Sequence, residues 1–231
     1  RHNSMEDGTL TVEAGMILSD VQNQAKKLNR MFPLSLASEG TCQIGGNLAT
    51  NAGGISVIKF GSARNLCCGI EAVLADGTIY NGLSSLIKDN TGYDLRNLLI
   101  GSEGTLGVIT AATLKTVPIP GETIVAMVKI GNPDDAIRLL RKLEKKLGDQ
   151  IYAFELINQK GLEFLKRGSF KFKEPFSTSS DWMVLIEVAG IKAIELKPSF
   201  ENILFKSMKE KLITDAVIAN SDLQARALWY I

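Results

Sequence analysis

Apolar and polar positions along the first part of the chain predict a strand followed by a helix. Residues 9–14 form a short β-type run. Apolar residues then recur at three- and four-residue spacing from Val21 to Leu28, and Ser19 or Asp20 is available as the N-cap. The predicted order at this point is therefore strand, amphipathic helix and loop.

The stretch that follows is rich in Gly, Ser, Asn and Thr, yet it keeps aliphatic residues at regular positions. Within residues 35–61 these are Leu36, Ile44, Leu48 and Ile55. Flexible linkers do not carry such residues, so we predict an ordered loop system.

Two β-type runs predict a hairpin over residues 69–80. The Asp76-Gly77 dipeptide between them suits a type I′ turn. Residues 106–117, rich in Val, Ile and Thr, predict a further strand, which the Pro-Ile-Pro-Gly sequence at 118–121 ends.

That break predicts a domain boundary, with one domain at residues 1–118 and another at 121–231. In the second domain Asn132 and Pro133 start a helix whose predicted apolar face consists of Ile137, Leu140, Leu143 and Leu147. Strands are predicted at 122–130, 151–157, 182–188 and 213–219, and further helices at 158–167, 198–212 and from 221 onward. Strand-helix-strand order, repeated twice, predicts an α+β fold with a ferredoxin-like α/β sandwich whose helices lie on one face of the sheet.

Charge and hydropathy exclude several classes of partner. The chain has 26 Lys and Arg against 25 Asp and Glu, a net charge of +1. That balance gives no support for a nucleic-acid partner or a polybasic membrane partner. No apolar run reaches the ~18–20 residues of a transmembrane segment.

Histidine and cysteine usage narrows the chemistry further. His2 is the one histidine in the sequence, so a Ser-His-Asp triad or a multi-histidine zinc site within this chain would have to be built on it. Cys42, Cys67 and Cys68 are an odd count without a CxxC pair, which is typical of free thiols in a reducing compartment. We therefore expect a cytoplasmic protein, or one of the mitochondrial matrix if the source is eukaryotic.

Glycine clusters at residues 40–54 and 101–107 are the most informative feature. Glycine permits positive φ and close approach of the backbone to a ligand, and successive amides in such loops can form a phosphate-binding concavity. Neither cluster is a Walker A loop or a GxGxxG fingerprint. The alternative is a set of tight turns in a β-rich fold.

Four segments together resemble the FAD-linked 2-hydroxyacid dehydrogenases. They are residues 33–36, 44–54, 88–95 and 101–110. The family includes cytochrome-linked D-lactate dehydrogenase, D-2-hydroxyglutarate dehydrogenase and the flavin subunit of glycolate oxidase. The resemblance implies the second half of a vanillyl-alcohol-oxidase-type (p-cresol methylhydroxylase-type) FAD-binding domain at 1–118. More weakly, it implies an FAD-linked oxidase C-terminal domain at 121–231.

The resemblance also implies a set of cofactor-binding residues and no catalytic or metal-binding residue in this chain. For the ribityl, pyrophosphate and isoalloxazine parts of a non-covalent FAD, these are Gly40, Thr41, Ile44, Gly45, Gly46, Asn47, Thr50, Asn51, Gly53 and Gly54. For the adenine side, they are Gly104, Gly107, Val108 and Ile109. Two alternatives stay open. Glu103 is either a structural residue or an acid–base group, and residues 88–94 are either a capped loop or a wall of the flavin cavity.

Three features of the family are not matched in the chain: a Pro- and Gly-rich loop before the first strand, an arginine after the final tryptophan, and a later segment with two histidines. The resemblance therefore implies an internal fragment, truncated at both ends, that holds no tightly bound FAD and has no turnover alone. The implied partners are a small 2-hydroxy acid and a quinone, cytochrome or flavoprotein acceptor, with a homodimer left open. A non-catalytic binding or assembly module of the same fold is the alternative.

Overall fold

The computed structural model describes residues 1–4, 6–168, 172, 174–178, 180–190 and 195–231. These residues form two compact units, Arg1–Ile119 and Pro120–Ile231. Within the described ranges, every helix is too short or too polar to cross a bilayer.

An antiparallel sheet is the framework of the first unit. The strands of this unit are β1 (His2–Ser4), β2 (Thr9–Glu13), β3 (Arg30–Met31), β4 (Cys67–Val73), β5 (Ile79–Gly82), β6 (Val108–Lys115) and β7 (Val117–Pro118). Five of them pair in the order β1-β2-β6-β4-β5, and β3 pairs separately with β7. The helices are α1 (Leu18–Lys27), α2 (Ile44–Ala49), α3 (Val57–Phe60) and α4 (Leu95–Leu99), and Ala63–Leu66 is a 3₁₀ turn.

One face of this sheet is buried beneath α1 and α2. Alternate residues of the strands, such as Leu10, Ile70 and Leu114, pack in one cluster with Val21 of α1 and Leu48 of α2. The predicted ordered loop system at 35–61 therefore contains two short helices, and one of them is part of the core.

The N-cap predicted for α1 is wrong. The helix begins at Leu18 with Ile17 as N-cap, so Ser19 and Asp20 lie inside its first turn. Carbonyl groups of the loop take the place of a capping side chain: Leu18 N donates to Cys42 O at 3.0 Å, and Ser19 N donates to Glu39 O at 2.9 Å.

The hairpin over 69–80 is confirmed, but its turn is not type I′. Type I′ needs positive φ at both central residues. Gly77 has φ +85°, whereas Asp76 does not have positive φ. Gly77 N donates to Leu74 O at 3.0 Å and Leu74 N donates to Thr78 O at 2.9 Å, so the connection is a longer loop closed by a glycine.

The second unit has the ferredoxin-like order. Its strands are β8 (Glu122–Ile130), β9 (Ile151–Asn158), β10 (Trp182–Gly190) and β11 (Asp215–Ile218), and its helices are α5 (Pro133–Leu147), α6 (Gln159–Arg167), α7 (Leu196–Lys209) and α8 (Asp222–Trp229). The strands form an antiparallel sheet in the order β11-β8-β10-β9. The crossovers through α5 and α7 place β8 and β10 at the centre, as in a split βαβ fold.

Helices cover both faces of this sheet, which corrects the prediction of one covered face. Helices α5 and α7 pack on the face that carries Ala126 and Val128, and α6 and α8 pack on the face that carries Val125 and Met127. Strand β8 is apolar on both sides, so each side needs a cover.

The predicted apolar face of α5 is displaced by one residue. Ala136, Leu139, Leu143 and Leu147 are its buried residues. Ile137 is 57% exposed, and Leu140 is half-buried. Leu143 and Leu147 were therefore predicted correctly, and the start of the face was not.

Candidate cofactor-binding site

The two glycine-rich segments meet in the first unit. Gly101 N donates to Leu48 O at 3.0 Å, and Glu103 N donates to Ala49 O at 2.9 Å. These bonds satisfy the last carbonyl groups of α2, which have no partner inside the helix. The loop after α4 is thereby fastened to the end of α2.

A groove of about 310 Å³ lies between the joined segments. It contains six of the predicted residues, namely Gly45, Gly46, Gly104, Gly107, Val108 and Ile109. Gln43 and Ala49, which also line it, lie within the glycine cluster at 40–54 but not in the predicted cofactor set, and sequence reasoning missed Ala14 and Gly15. Gly15, the glycine that directly follows the β-type run at 9–14, was the signal in the sequence that could have pointed to these two residues.

The adjacent glycines Gly45 and Gly46 have different roles. Gly45 N donates to Ala14 O at 2.8 Å, and a Cβ on Gly45 would lie 2.7 Å from the Ala14 Cβ. A Cβ on Gly46 would meet nothing within 4 Å. Gly45 is therefore required by packing of α2 against the end of β2, whereas Gly46 leaves the groove open.

Three backbone amides among the groove residues are not used by the hydrogen bonds of the described fold. Those of Gly46, Gly104 and Gly107 donate no hydrogen bond to any other residue in the described part of the chain. A Cβ on Gly104, which has φ +79°, would also meet nothing within 4 Å.

The lining residues fit a phosphate-bearing cofactor such as FAD. None of the lining side chains described by the structure is charged, and Gln43 is the polar one. A phosphate would therefore meet free amide donors and no repelling carboxylate.

Other predicted residues lie outside the groove lining. Ile44 and Asn47 are buried, and Asn47 Nδ2 lies 3.5 Å from Cys42 Sγ. Thr50 Oγ1 donates to Gly46 O at 3.0 Å. A contact of the cofactor with these residues stays a prediction.

The remaining predicted residues occupy turns on either side of α2. Gly40 and Thr41 are exposed, and Thr41 Oγ1 donates to Ser38 O at 3.2 Å. A Cβ on Gly54 would lie 2.2 Å from Ser35 O. The other two residues of the set are Gly53 and Asn51, and Asn51 has φ +50°.

Glu103 and residues 88–94 show mainly structural contacts. Glu103 is exposed, has φ +52° and contributes its backbone amide to the join with α2. Asp94 caps α4 by accepting from Asn97 N at 3.0 Å, and this hydrogen bond lowers the pKa of Asp94. Residues 89 and 91–94 also line a cavity of about 90 Å³ beside Cys68 and Arg96.

The three cysteines are free thiols. Burial raises the pKa of Cys67 to about 12, and burial also raises the pKa of Cys68. Both thiols are therefore protonated near neutral pH. In the described ranges, no group of three or more His, Cys, Asp or Glu side chains is placed to hold a metal ion.

The groove combines glycines, unused backbone amides and an apolar wall, an arrangement typical of sites for a phosphate-bearing cofactor. Comparison with known families places an FAD binding domain at residues 1–82 and the C-terminal domain of FAD linked oxidases at residues 119–231.

Curated relatives support the same assignment. Mitochondrial D-2-hydroxyglutarate dehydrogenase of Arabidopsis thaliana is 35% identical over 97% of this chain and 40% of its own length. The Danio rerio protein of that name is 36% identical over 96% and 41%. A putative mitochondrial D-lactate dehydrogenase of Schizosaccharomyces pombe is 33% identical over 96% and 42%. The chain thus spans about two fifths of the length of these relatives.

Solved structures show the fold. Substrate-bound p-cresol methylhydroxylase superposes with a TM-score of 0.70 at 17% identity, covering 97% of this chain and 48% of that one. Carbohydrate oxidase from Microdochium nivale gives 0.64 at 18% identity, covering 99% and 44%. The chain thus contains an FAD binding domain and the C-terminal domain of FAD linked oxidases, which confirms the family and the fold class predicted from the sequence.

Proposed function

We propose that the protein containing this chain is an FAD-linked oxidoreductase that oxidises a D-2-hydroxy acid to the 2-oxo acid. The named relatives are D-2-hydroxyglutarate and D-lactate dehydrogenases, and these two acids are the first substrates to test. Glycolate, implied by the resemblance in the sequence, is the third. A quinone, a cytochrome or a flavoprotein would accept the electrons.

The observation that carries the proposal is the groove, whose lining includes backbone amides that donate to no other described residue. No side chain or backbone atom fills the space beside the Cα atoms of Gly46 and Gly104. The amides of Gly46, Gly104 and Gly107 would donate to phosphate oxygens. Val108 and Ile109 supply an apolar wall. These residues would bind and orient the cofactor.

Bound FAD supplies an acceptor for the hydride from C2 of the hydroxy acid. The described lining residues include no His, Tyr or Cys side chain that could attach the cofactor covalently, which supports non-covalent binding. They also include no acid or base. Within this groove, the contribution of the chain is therefore to hold the cofactor, with no proton transfer by a lining side chain.

That lack of an acid or base also favours a second candidate, a binding or assembly module without redox chemistry. The test is the visible spectrum of the intact purified protein under anaerobic conditions. We expect flavin absorbance that bleaches on addition of D-2-hydroxyglutarate or D-lactate and persists with the L-enantiomers.

Either of two results would decide against oxidation. Absorbance that no 2-hydroxy acid bleaches would favour the binding module, and protein that neither retains nor takes up FAD would refute the cofactor assignment.

If the flavin absorbance does bleach, a further measurement identifies the class of electron acceptor. It tests whether a soluble quinone or cytochrome c reoxidises the bleached protein.

A further inference from the structure

Arg64 connects the two halves of the groove without lining it. Its guanidinium donates to Asn97 O and, at 2.6 Å, to Ile100 O. Both carbonyl groups lie at the C-terminal end of α4, immediately before the turn that carries Gly104. A cation at this end of a helix satisfies carbonyl groups that have no partner inside the helix.

The backbone of Arg64 is fastened to the other glycine-rich segment. Asn51 Oδ1 accepts from Arg64 N at 3.0 Å and from Ser62 Oγ at 2.7 Å. Arg64 therefore donates through its main chain to the segment that follows α2. Through its side chain, it donates to the end of α4, just before the turn that carries Gly104.

Gly101 shows how closely the guanidinium fits. A Cβ on Gly101 would lie 2.8 Å from Arg64 Nη2 and 3.4 Å from Asn51 Cβ. Gly101 also has φ +83° and donates to Leu48 O. The turn is thus fixed from one side by α2 and from the other by Arg64.

We propose that Arg64 is a positioning residue for the cofactor groove, which sets the spacing between the amide of Gly46 and those of Gly104 and Gly107. The proposal rests on the proposed function, since it concerns binding of FAD by that groove. Preorganised donors bind a ligand more tightly than donors that must be ordered on binding.

The test compares Arg64→Met with Arg30→Met in the intact protein. Arg30 is a matched control because it is also half-buried in the first unit, and it donates to Thr116 Oγ1 at 2.5 Å and to Thr116 O at 2.8 Å. Thr116 is not among the groove residues. Both variants lose two hydrogen bonds from a guanidinium and keep an apolar stem.

We expect Arg64→Met to raise the dissociation constant for FAD about tenfold or more, where tenfold corresponds to ~1.4 kcal/mol. Arg30→Met should lower the melting temperature by about as much as Arg64→Met does, but it should leave the affinity for FAD unchanged. Arg64→Lys, which keeps the charge without the planar fork, should restore part of the affinity. Equal FAD affinities in the two methionine variants would overturn the proposal.

A second measurement does not depend on the flavin. Hydrogen exchange of the Gly101 and Glu103 amides, which donate to Leu48 O and Ala49 O, should be faster in the apoprotein of Arg64→Met than in that of the wild type and unchanged in Arg30→Met. Unchanged exchange in Arg64→Met would refute the positioning role. A third outcome separates the two proposals. If the wild type does not bind FAD but amide hydrogen exchange in the turn is still faster in Arg64→Met, the proposed function is refuted and the positioning of the turn by Arg64 stands.

Discussion

Substitution of the adjacent glycines Gly45 and Gly46 should have opposite effects on stability. A methyl group at Gly45 would lie 2.7 Å from the Ala14 Cβ and 3.3 Å from Ala14 O. Overpacking of this kind typically costs about 1–3 kcal/mol. A methyl group at Gly46 meets nothing within 4 Å, so Gly46→Ala gains the ~0.5–1 kcal/mol by which alanine favours a helix over glycine.

The assay is thermal unfolding of the apoprotein together with titration of FAD. Gly45→Ala should lower the melting temperature by several degrees, and Gly46→Ala should raise it by a few degrees, because 1 kcal/mol corresponds to roughly 2–8 °C in domains of this size range. Affinity for FAD should fall in Gly46→Ala, since the methyl group enters the groove. It should be lost in Gly46→Asp, because a carboxylate repels a phosphate.

Two results would contradict this reasoning. If Gly46→Asp retained the flavin-to-protein absorbance ratio of the wild type, the groove would not be the cofactor site. If Gly45→Ala were as stable as Gly46→Ala, the close approach of α2 to Ala14 would not constrain the fold.

Three further predictions concern titratable groups and the boundary between the units. Burial raises the pKa of Cys67 in the folded state from 9.0 to about 12. Cys67 should therefore resist thiol reagents at pH 8 in the folded protein, and rapid labelling of native protein would contradict this. The contribution of Cys67 to the free energy of unfolding should fall as the pH rises above 9.0, because the thiol ionises first in the unfolded state. Burial raises the pKa of Glu187, which accepts from Trp229 Nε1 at 2.8 Å, so the free energy that this group contributes falls as the pH rises above its ordinary pKa of 4.5. Glu187→Gln keeps the acceptor and removes the charge, so it should favour folding more at pH 7 than at pH 4 in urea unfolding, and equal changes at both pH values would refute the cause. Limited proteolysis should first cut residues 118–121, between the two units, or the polar stretch 168–181, part of which lies outside the described residues. A first cut within 69–80 or 137–147 would argue against that boundary.

Elements with complete local signals could be predicted from the sequence. Strand β8 was predicted with the observed bounds, Glu122–Ile130, because Gly121 and Gly131 limit an uninterrupted β-type run. Helix α5 starts where Asn132 and Pro133 indicated, and Asn132 Oδ1 accepts from Asp135 N at 3.0 Å.

Elements that depend on distant contacts could not be predicted. Helix α2 contains two glycines in six residues and has no local helix signal. It forms because the amides of Ile44 and Gly45 donate to Met16 O and Ala14 O, which lie far back in the chain. Of the predicted cofactor set, the residues that line the groove lie on α2 and in the segment from Gly104 to Ile109. These two parts of the chain come together only in the tertiary structure, so the sequence could not show which members of the set line the groove.

The pairing of β2 with β6 has a consequence for the order of events during synthesis. Glu13 lies opposite Ala111, and Ala14 N donates to Thr110 O at 2.9 Å, so the end of β2 that borders the groove is held by a strand made much later. Closing such a long loop is costly until the whole strand is present, and proteins rich in distant contacts fold slowly. A nascent chain that has emerged from the ribosome only as far as residue 100 contains both glycines of α2. It lacks the other side of the groove, which Gly104, Gly107, Val108 and Ile109 form. Loading of the cofactor must therefore follow emergence of β6 from the ribosome.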